Sequence, residues 1–265
     1  MQERPMWVST NGHAERPNVA RLFDYYLGGA HNFAVDREFA ALSTKVFPAD
    51  EAARTSRSFL QRAVRHCVAR GITQFLDLGS GIPTAGNVHE VAGRLVPSAR
   101  VVYVDNDPVT VAHGRTMLKG HRSVAIAGAD IRDPDAVLAA PETARLLDLD
   151  EPVALLMVGI LPYLSAEERP ADLVAKYREA IAPGSVLVIS HLTADLEPAV
   201  VDGLANMVRL TGTSLTPRDA AEVTGLFDGF DLVEPGLVMA GQWHADAEDT
   251  GPAAGLAYGV AGVKR

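Results

Sequence analysis

The sequence has few of the features that mark specialised protein classes. It holds one cysteine, Cys67, in 265 residues, which excludes an internal disulfide and a multi-cysteine metal site and is typical of a reducing compartment. No apolar run reaches the roughly 18 residues of a membrane span, and residues 1–13 lack the apolar core of a signal peptide. Acidic residues outnumber basic ones, 33 against 24, which argues against a non-specific nucleic-acid binder. These absences predict a cytoplasmic globular protein that binds neither nucleic acid nor membrane.

The first 70 residues carry a helical pattern. Apolar residues between Val19 and Tyr26 recur at three- and four-residue spacing, as on one face of a helix, and Gly28-Gly29 ends that helix. Further helices are predicted at about 37–42 and 51–69. A chain of this length suits one large domain with a cap. We therefore predict a compact unit in three parts: a flexible arm (1–16), an N-terminal helical cap (17–70) and a cofactor-binding domain (71–265).

After residue 71, apolar strands alternate with helices. Such alternation, with nearly continuous apolar strands, is typical of a parallel sheet covered on both faces. The sequence Thr216-Pro217-Arg218-Asp219 predicts a helix start, with Thr216 as the capping residue. The predicted class is α/β, a Rossmann-like sheet that is mostly parallel, with an antiparallel strand at its edge. The predicted strands are 74–78, 101–104, 124–127, 153–158, 185–190, 230–233, 236–240 and 256–263, and helices are expected near 87–95, 108–118, 134–140 and 171–181.

Two of these strands end in residues suited to bind a nucleoside. The first leads into the turn Gly79-Ser80-Gly81, where a backbone without Cβ can approach a ligand closely. The second ends in Asp105, a carboxylate that could accept hydrogen bonds from both ribose hydroxyls. Together they predict a nucleoside-containing cofactor.

The residues around the glycine turn distinguish between cofactors. A dinucleotide fingerprint needs a third glycine, but Thr84 stands at that position after Ile82-Pro83. No lysine follows the glycines as it does in a phosphate-binding P-loop. Asp77, inside the strand, places a carboxylate where a cationic amino-acid moiety suits the site better than a phosphate does. These features favour S-adenosylmethionine over NAD.

The motifs resemble those of class I S-adenosylmethionine-dependent methyltransferases. Leu76-Asp77-Leu78-Gly79-Ser80-Gly81 resembles their first motif, Val104-Asp105-Asn106-Asp107-Pro108 their second and Gly128-Ala129-Asp130-Ile131 their third. More specifically, the chain resembles an actinobacterial-type S-adenosyl methyltransferase family formerly known as a domain of unknown function. That resemblance extends from about Arg16 to the C-terminus and includes Asp24-Tyr25-Tyr26-Leu27-Gly28-Gly29. It implies a methyltransferase fold and S-adenosyl-L-methionine as cofactor, but no acceptor.

The resemblance also implies roles for individual residues. The turn with Gly79, Ser80 and Gly81 would lie beneath the methionine part of the cofactor, and Asp77 would hold its amino end. Asp105 would bind the ribose diol. The remaining cofactor contacts would be Asn106 near the adenine, Asp130 accepting from the adenine amino group, Ile131 against the ring and Gly159 near the sulfonium.

Candidates for the chemistry are fewer. Methyl transfer needs a general base only if the acceptor arrives protonated. His191, His31 and Tyr163 are candidate bases, each with a structural role as the alternative. Tyr25 and Tyr26 could face the substrate pocket, where an aromatic ring favours a cation such as the sulfonium.

The acceptor is predicted by exclusion. The chain lacks an Asn-Pro-Pro-Tyr motif for amino-group methylation of adenine or glutamine, a Pro-Cys nucleophile for cytosine methylation and a metal-ligand cluster for a catechol. Methylation at oxygen, nitrogen or carbon stays open. A small-molecule acceptor, methylated mainly through positioning and without a metal, is therefore predicted. The alternatives are a cofactor-binding protein without turnover and an NAD-dependent oxidoreductase.

Overall fold

The computed structural model describes residues 15–45, 47–84, 86–196, 198–245 and 255–265. Most of the predicted arm, 1–16, lies outside these ranges. The helices are α1 (Val19–Tyr26), α2 (Ala34–Ser43), α3 (Ala49–Ala69), α4 (Val88–Leu95), α5 (Pro108–Met117), α6 (Pro134–Leu138), α7 (Pro141–Leu146), α8 (Pro170–Ala180), α9 (Pro198–Arg209) and α10 (Ala220–Gly225). The strands are β1 (Gln74–Leu78), β2 (Arg100–Asp105), β3 (Val124–Gly128), β4 (Ala154–Val158), β5 (Val186–Leu192), β6 (Phe230–Leu232), β7 (Val238–Met239) and β8 (Ala257–Lys264).

The eight strands form one mixed sheet in the order β3-β2-β1-β4-β5-β8-β6, with β7 also paired to β8. Strands β1 to β5 run parallel, whereas β8 runs antiparallel to β5 and to the short strands β6 and β7. The predicted Rossmann-like class is confirmed. The strand order reverses at β1, between β2 and β4, and ligands of open α/β sheets bind outside the carboxyl ends of strands at such a point.

Helix α3 belongs to the core beneath the sheet. Its residues Phe59 and Val64 are fully buried in one cluster with Phe75 of β1 and Trp243. The Phe59 and Trp243 rings meet edge to face with centroids 5.5 Å apart. Since a buried aromatic side chain contributes strongly to packing, this contact fixes α3 against the sheet.

Helices α1 and α2 are joined by a buried ion pair. The Arg21 Nε donates to Asp36 Oδ2 at 2.6 Å, and both side chains are fully buried. Asp36 also accepts from the backbone N–H groups of Asn18 and Phe33. Asn18 in turn caps α1 and donates its side-chain amide to Asp107 at the start of α5. The pair of helices is thus fixed at the carboxyl end of β2.

The structure differs from the sequence prediction near the C-terminus. Thr216 is not the capping residue; α10 begins at Ala220, and Asp219 caps it through a reciprocal capping box with Glu222. Thr216 instead donates its backbone N–H to the Pro162 carbonyl. Helices α7 and α9 were not predicted; α7 spans only six residues, too few for the apolar periodicity of a helix to be clear. No helix among the described residues is long and apolar enough to cross a membrane.

Candidate active site

A cavity of about 520 Å³ opens at the carboxyl ends of β1 to β4. Its volume lies in the range of small-molecule sites, about 300–1,000 Å³. The strand ends form its floor, and α1, α3 and residues 212–214 form its walls. All nine residues predicted to bind the cofactor line this cavity: Asp77, Gly79, Ser80, Gly81, Asp105, Asn106, Asp130, Ile131 and Gly159.

The glycine turn after β1 is anchored to the end of β2. The backbone N–H groups of Gly79 and Ser80 both donate to the Val104 carbonyl, at 2.9 and 3.0 Å. Gly79 and Gly81 have φ values of +72° and +63°, in the left-handed region that favours glycine. A Cβ at Gly79 would also overlap the Ile160 side chain. The turn therefore requires glycine for its backbone conformation and for the close packing of the loop after β4.

Asp105 connects the two loops at the cavity floor. Its Oδ2 accepts from Gly81 N–H and its Oδ1 from Asp107 N–H, both at 2.9 Å. Burial raises the pKa of Asp105 to about 6, although these backbone hydrogen bonds act in the opposite direction. A carboxylate has about four lone-pair sites, so Asp105 can accept further hydrogen bonds from a ligand.

Asp77 and Arg57 place opposite charges on the cavity wall. Asp77 is 5% exposed, and burial raises its pKa to about 7, partly offset by the positive charge of Arg57. Arg57 belongs to α3 and was not among the predicted site residues. Ala53, Arg57 and Leu60 all line the cavity at four- and three-residue spacing, so helical periodicity was the signal that could have identified Arg57.

Asp130 lies in a network at the far edge of the cavity. Its Oδ1 accepts from the Arg132 backbone N–H and Nε, and its Oδ2 from Arg132 Nη2 and the Asn106 amide. These hydrogen bonds, chiefly that from the Arg132 side chain, lower the pKa of Asp130 to about 2. Arg132 also donates to Glu168 at 2.9 Å. Because four donors occupy the lone-pair sites of Asp130, a ligand amino group would have to replace one of them, and the single Asn106 contact at 3.1 Å is the weakest.

The loop after β4 carries Tyr163 into the cavity wall. Arg218, which is 5% exposed, holds this loop by donating to the carbonyls of Leu161 and Leu164 at 3.1 and 3.0 Å. Burial raises the pKa of Tyr163 well above its usual value. Its hydroxyl therefore stays protonated at neutral pH and can donate a hydrogen bond.

Comparison with known proteins identifies the family. The S-adenosyl methyltransferase profile matches residues 6–265. A protein from Thermobifida fusca YX, described as a candidate methyltransferase, is 38% identical with a TM-score of 0.90, and the match covers 98% of this chain and 100% of that one. The chain belongs to the S-adenosyl methyltransferase family. A DUF574 family protein from Streptomyces avermitilis MA-4680 is 35% identical, with a TM-score of 0.90 and coverage of 95% and 99%. A search of curated proteins found no relative.

Membership confirms the predictions of a methyltransferase that uses S-adenosyl-L-methionine. The described residues fit this cofactor, which carries an adenosine at one end and a zwitterionic amino acid at the other. Asp105 retains acceptor capacity at the cavity floor. Asp77, whose carboxylate carries the charge opposite to that of Arg57, suits an ammonium group. A dinucleotide would instead need space for a pyrophosphate over the turn, where Gly81 N–H is already bonded to Asp105.

The structure does not bring His191 to the cavity of the methyltransferase. β5 continues to Leu192, two residues further than predicted, so His191 lies within the sheet opposite Tyr258 of β8. It is fully buried, with Nδ1 near the Leu192 carbonyl at 2.9 Å and Nε2 accepting from Arg218 Nη1 at 2.9 Å. Burial lowers its pKa to about 4, so it stays neutral. His191 thus acts on the cavity only through Arg218 and the loop that Arg218 holds.

His31, Tyr25 and Tyr26 also lie outside the cavity lining. Helix α1 turns Phe23 and Asp24 toward the cavity, while Tyr26 points toward α2 and lies 2.6 Å from Ser43 Oγ. Tyr25 is 38% exposed. The three- and four-residue spacing predicted the helix correctly, but it did not indicate which face meets the ligand.

Asp24 organises the segment that contains His31. Its Oδ2 accepts from the His31 backbone N–H at 2.7 Å and from the Asn32 amide at 2.9 Å. A Cβ at Gly29 would overlap Asp24 Oδ1. The glycine pair and Asn32 therefore serve to hold Asp24, which itself lines the cavity.

Proposed function

We propose that this methyltransferase transfers the methyl group to a small-molecule acceptor bound in the same cavity, with catalysis mainly by positioning. The observation that carries the proposal is that one 520 Å³ cavity joins the charged strand ends to an apolar wall. S-Adenosyl-L-methionine supplies an activated methyl group on a sulfonium. The chain's own residues bind and orient the two reactants.

The cofactor would lie along the strand ends. Asp105 would accept from the ribose hydroxyls, and the Gly79-Ser80-Gly81 turn would lie under the methionine part. Asp77 would accept from its ammonium. Asn106, Asp130 and Ile131 would enclose the adenine, and Gly159 would leave room near the sulfonium, since nothing lies within 4 Å of a Cβ built there.

The acceptor would lie against the wall opposite the strand ends. This wall contains apolar and aromatic side chains together with three hydroxyl groups, a composition that suits a flat or apolar molecule with a few polar groups. Tyr163 can orient the acceptor by donating a hydrogen bond. The wall residues are Phe23, Leu60, Tyr163, Leu164, Thr213 and Ser214.

Positioning is supported by the types of side chain around the cavity. Among the described lining residues there is no histidine, cysteine or lysine. The lining carboxylates are either assigned to the cofactor, as are Asp77, Asp105 and Asp130, or accept hydrogen bonds from the protein, as do Asp24, Asp107 and Glu168. Tyr163, whose pKa is raised, is a poor general base. Correct placement of two bound reactants can contribute about 7–11 kcal/mol to lowering a barrier without proton transfer.

We also propose that the protein works in the cytoplasm, which the buried free thiol of Cys67 supports.

The experiment combines the purified protein and S-adenosyl-L-methionine with fractionated small-molecule extracts, and measures S-adenosylhomocysteine and the methylated product by mass spectrometry. Asp105→Ala should lose product formation. Asp231→Asn, which changes an exposed carboxylate paired with Arg265, should retain it. A parallel reaction contains protein and nucleic-acid fractions instead, and product formed only there would contradict a small-molecule acceptor. Equal product from Asp105→Ala would remove Asp105 from the site.

A further inference from the structure

We propose that Arg57 of α3 binds the carboxylate of the cofactor's amino-acid end and that Asp77 of β1 binds its ammonium, so that the two side chains form a receptor for a zwitterion. This inference rests on the proposed function, because it assumes that the cofactor lies along the strand ends. It adds a residue of α3 to the proposed cofactor site.

Arg57 is an arginine without a partner. Its side chain forms no hydrogen bond or ion pair with any described residue, and its Nη1 is buried. Burial lowers its pKa, and Asp77 acts in the opposite direction. A guanidinium removed from water without hydrogen bonds is costly. A ligand carboxylate would supply the missing acceptors through the paired hydrogen bonds that arginine forms with carboxylates.

Other buried arginines in the fold each donate to an acceptor of the protein. Arg21 is paired with Asp36 at 2.6 Å, although its Nη1 is also buried without a hydrogen bond. Arg62, on the same helix as Arg57, donates to the carbonyls of Trp243 and Ala240, both at 2.7 Å. Arg218 donates to two carbonyls of the loop after β4. Among these, the cavity-lining Arg57 differs in facing an open space rather than a protein acceptor.

Asp77 faces the same space without a partner. Its carboxylate accepts no hydrogen bond from the described residues, and it forms no direct ion pair with Arg57. Each nevertheless affects the other's charge. A positive and a negative side chain that are close but not in contact leave room between them for a ligand group that itself carries one positive and one negative charge. The ammonium and carboxylate of an α-amino acid match that arrangement.

The scaffold holds the two side chains in fixed positions. Gln61, one turn along α3 from Arg57, donates its amide to the Gly86 carbonyl at 3.2 Å and so joins α3 to the loop that follows β1. Asp77 lies within β1 and is paired in register with Tyr103 of β2. A site on a packed helix and a central strand is preorganised, which reduces the entropy lost on binding.

The test is calorimetric titration with two ligands that share a nucleoside. S-Adenosylhomocysteine carries the amino-acid end, and 5′-methylthioadenosine lacks it. Arg57→Ala should weaken S-adenosylhomocysteine binding by about 10- to 100-fold, the loss expected for charge-assisted hydrogen bonds. It should leave 5′-methylthioadenosine binding within about threefold. Arg57→Lys, which keeps the charge without the paired donors, should fall between wild type and Arg57→Ala.

Arg54→Ala is the matched control, because Arg54 lies on the same helix in an exposed pair with Asp50. It should leave both affinities unchanged. Unchanged S-adenosylhomocysteine binding by Arg57→Ala would overturn the inference, and so would an equal loss for both ligands. Thermal melting verifies that each variant is folded. If the wild type binds neither ligand, the proposed function itself fails. Unchanged binding by Arg57→Ala, or an equal loss for both ligands, contradicts only the role of Arg57.

Discussion

Two arginine–aspartate pairs in this molecule behave in opposite ways. Arg21 and Asp36, between α1 and α2, are in contact at 2.6 Å, and Asp36 accepts two further backbone hydrogen bonds. Arg57 and Asp77, on the cavity wall, influence each other's charge but form no contact. The two members of the first pair bind each other directly, although Arg21 Nη1 forms no hydrogen bond. In the second pair, both side chains line the cavity and can form hydrogen bonds with a ligand there.

The difference separates architecture from function. A buried ion pair in direct contact fixes the geometry of the elements that carry it, and removing one partner leaves an uncompensated charge. Buried charges without a contact are costly in the free protein, and a ligand that supplies the missing partners would offset that cost. We therefore assign Arg21–Asp36 to the scaffold formed by α1 and α2, and we propose that Arg57 and Asp77 serve the cofactor site.

The largest effect is expected from breaking the pair that is in direct contact, Arg21–Asp36. Asp36→Ala should lower the free energy of unfolding by about 3–5 kcal/mol, because Arg21 would remain buried without its counter-charge. Urea unfolding measures this value. Asp50→Ala, which removes an exposed ion pair with Arg54, should cost only about 0.3–0.5 kcal/mol. Similar losses from both variants would contradict the structural role of Arg21–Asp36.

Asp105→Ala should have the next largest effect, on ligand affinity. It would remove the proposed acceptor for two ribose hydroxyls, and each charge-assisted hydrogen bond contributes about 1.5–3 kcal/mol. Binding of S-adenosylhomocysteine should weaken about 100-fold or more, as measured by calorimetry. Binding of 5′-methylthioadenosine should weaken equally, since it shares the ribose. Unchanged affinity in a folded variant would exclude Asp105 from the site.

Asp77→Asn should change how stability depends on pH. The pKa of Asp77 is about 7 in the folded protein against 3.8 for the ordinary group, so the folded state holds the proton more tightly. Its contribution to stability is therefore full below about pH 3.8 and is lost as the pH rises through 7. At pH 8 the free variant should melt at a higher temperature than wild type while binding S-adenosylhomocysteine more weakly. A lower melting temperature at pH 8 would contradict this account.

The smallest effect is expected at the edge of the cavity. Arg132→Ala removes two donors from Asp130 as well as the ion pair with Glu168, in a region that is partly exposed. The free energy of unfolding should change by less than about 1 kcal/mol. The pKa of Asp130 should rise from about 2 toward its ordinary value, measurable by NMR titration. An unchanged pKa would show that Arg132 does not control this carboxylate.

Sequence reasoning recovered the strands and the glycine turn because both depend on short-range patterns. The predicted bounds of β1 agree with the structure, and Gly79 and Gly81 adopt the left-handed backbone that the turn was expected to need. The cavity residues at the strand ends were found for the same reason, since parallel strands end at one edge of the sheet.

Residues whose position depends on side-chain direction were not recovered. His191 lies in the strand rather than beyond it, because β5 extends to Leu192 to pair with β8. Tyr26 lies on the face of α1 that meets α2. Arg57 was missed because a charged residue on an amphipathic helix usually indicates the solvated face. Only the folded structure shows that Arg57 on α3 lines the cavity.

The most direct measurement is a crystal structure of the protein with S-adenosylhomocysteine. We predict that its carboxylate binds the Arg57 guanidinium, its ammonium binds Asp77 and its ribose hydroxyls bind Asp105. The Arg21–Asp36 contact should remain unchanged. An amino-acid end that lies away from both Arg57 and Asp77, or an Arg57 turned to solvent, would contradict the view that this pair is left open for the cofactor.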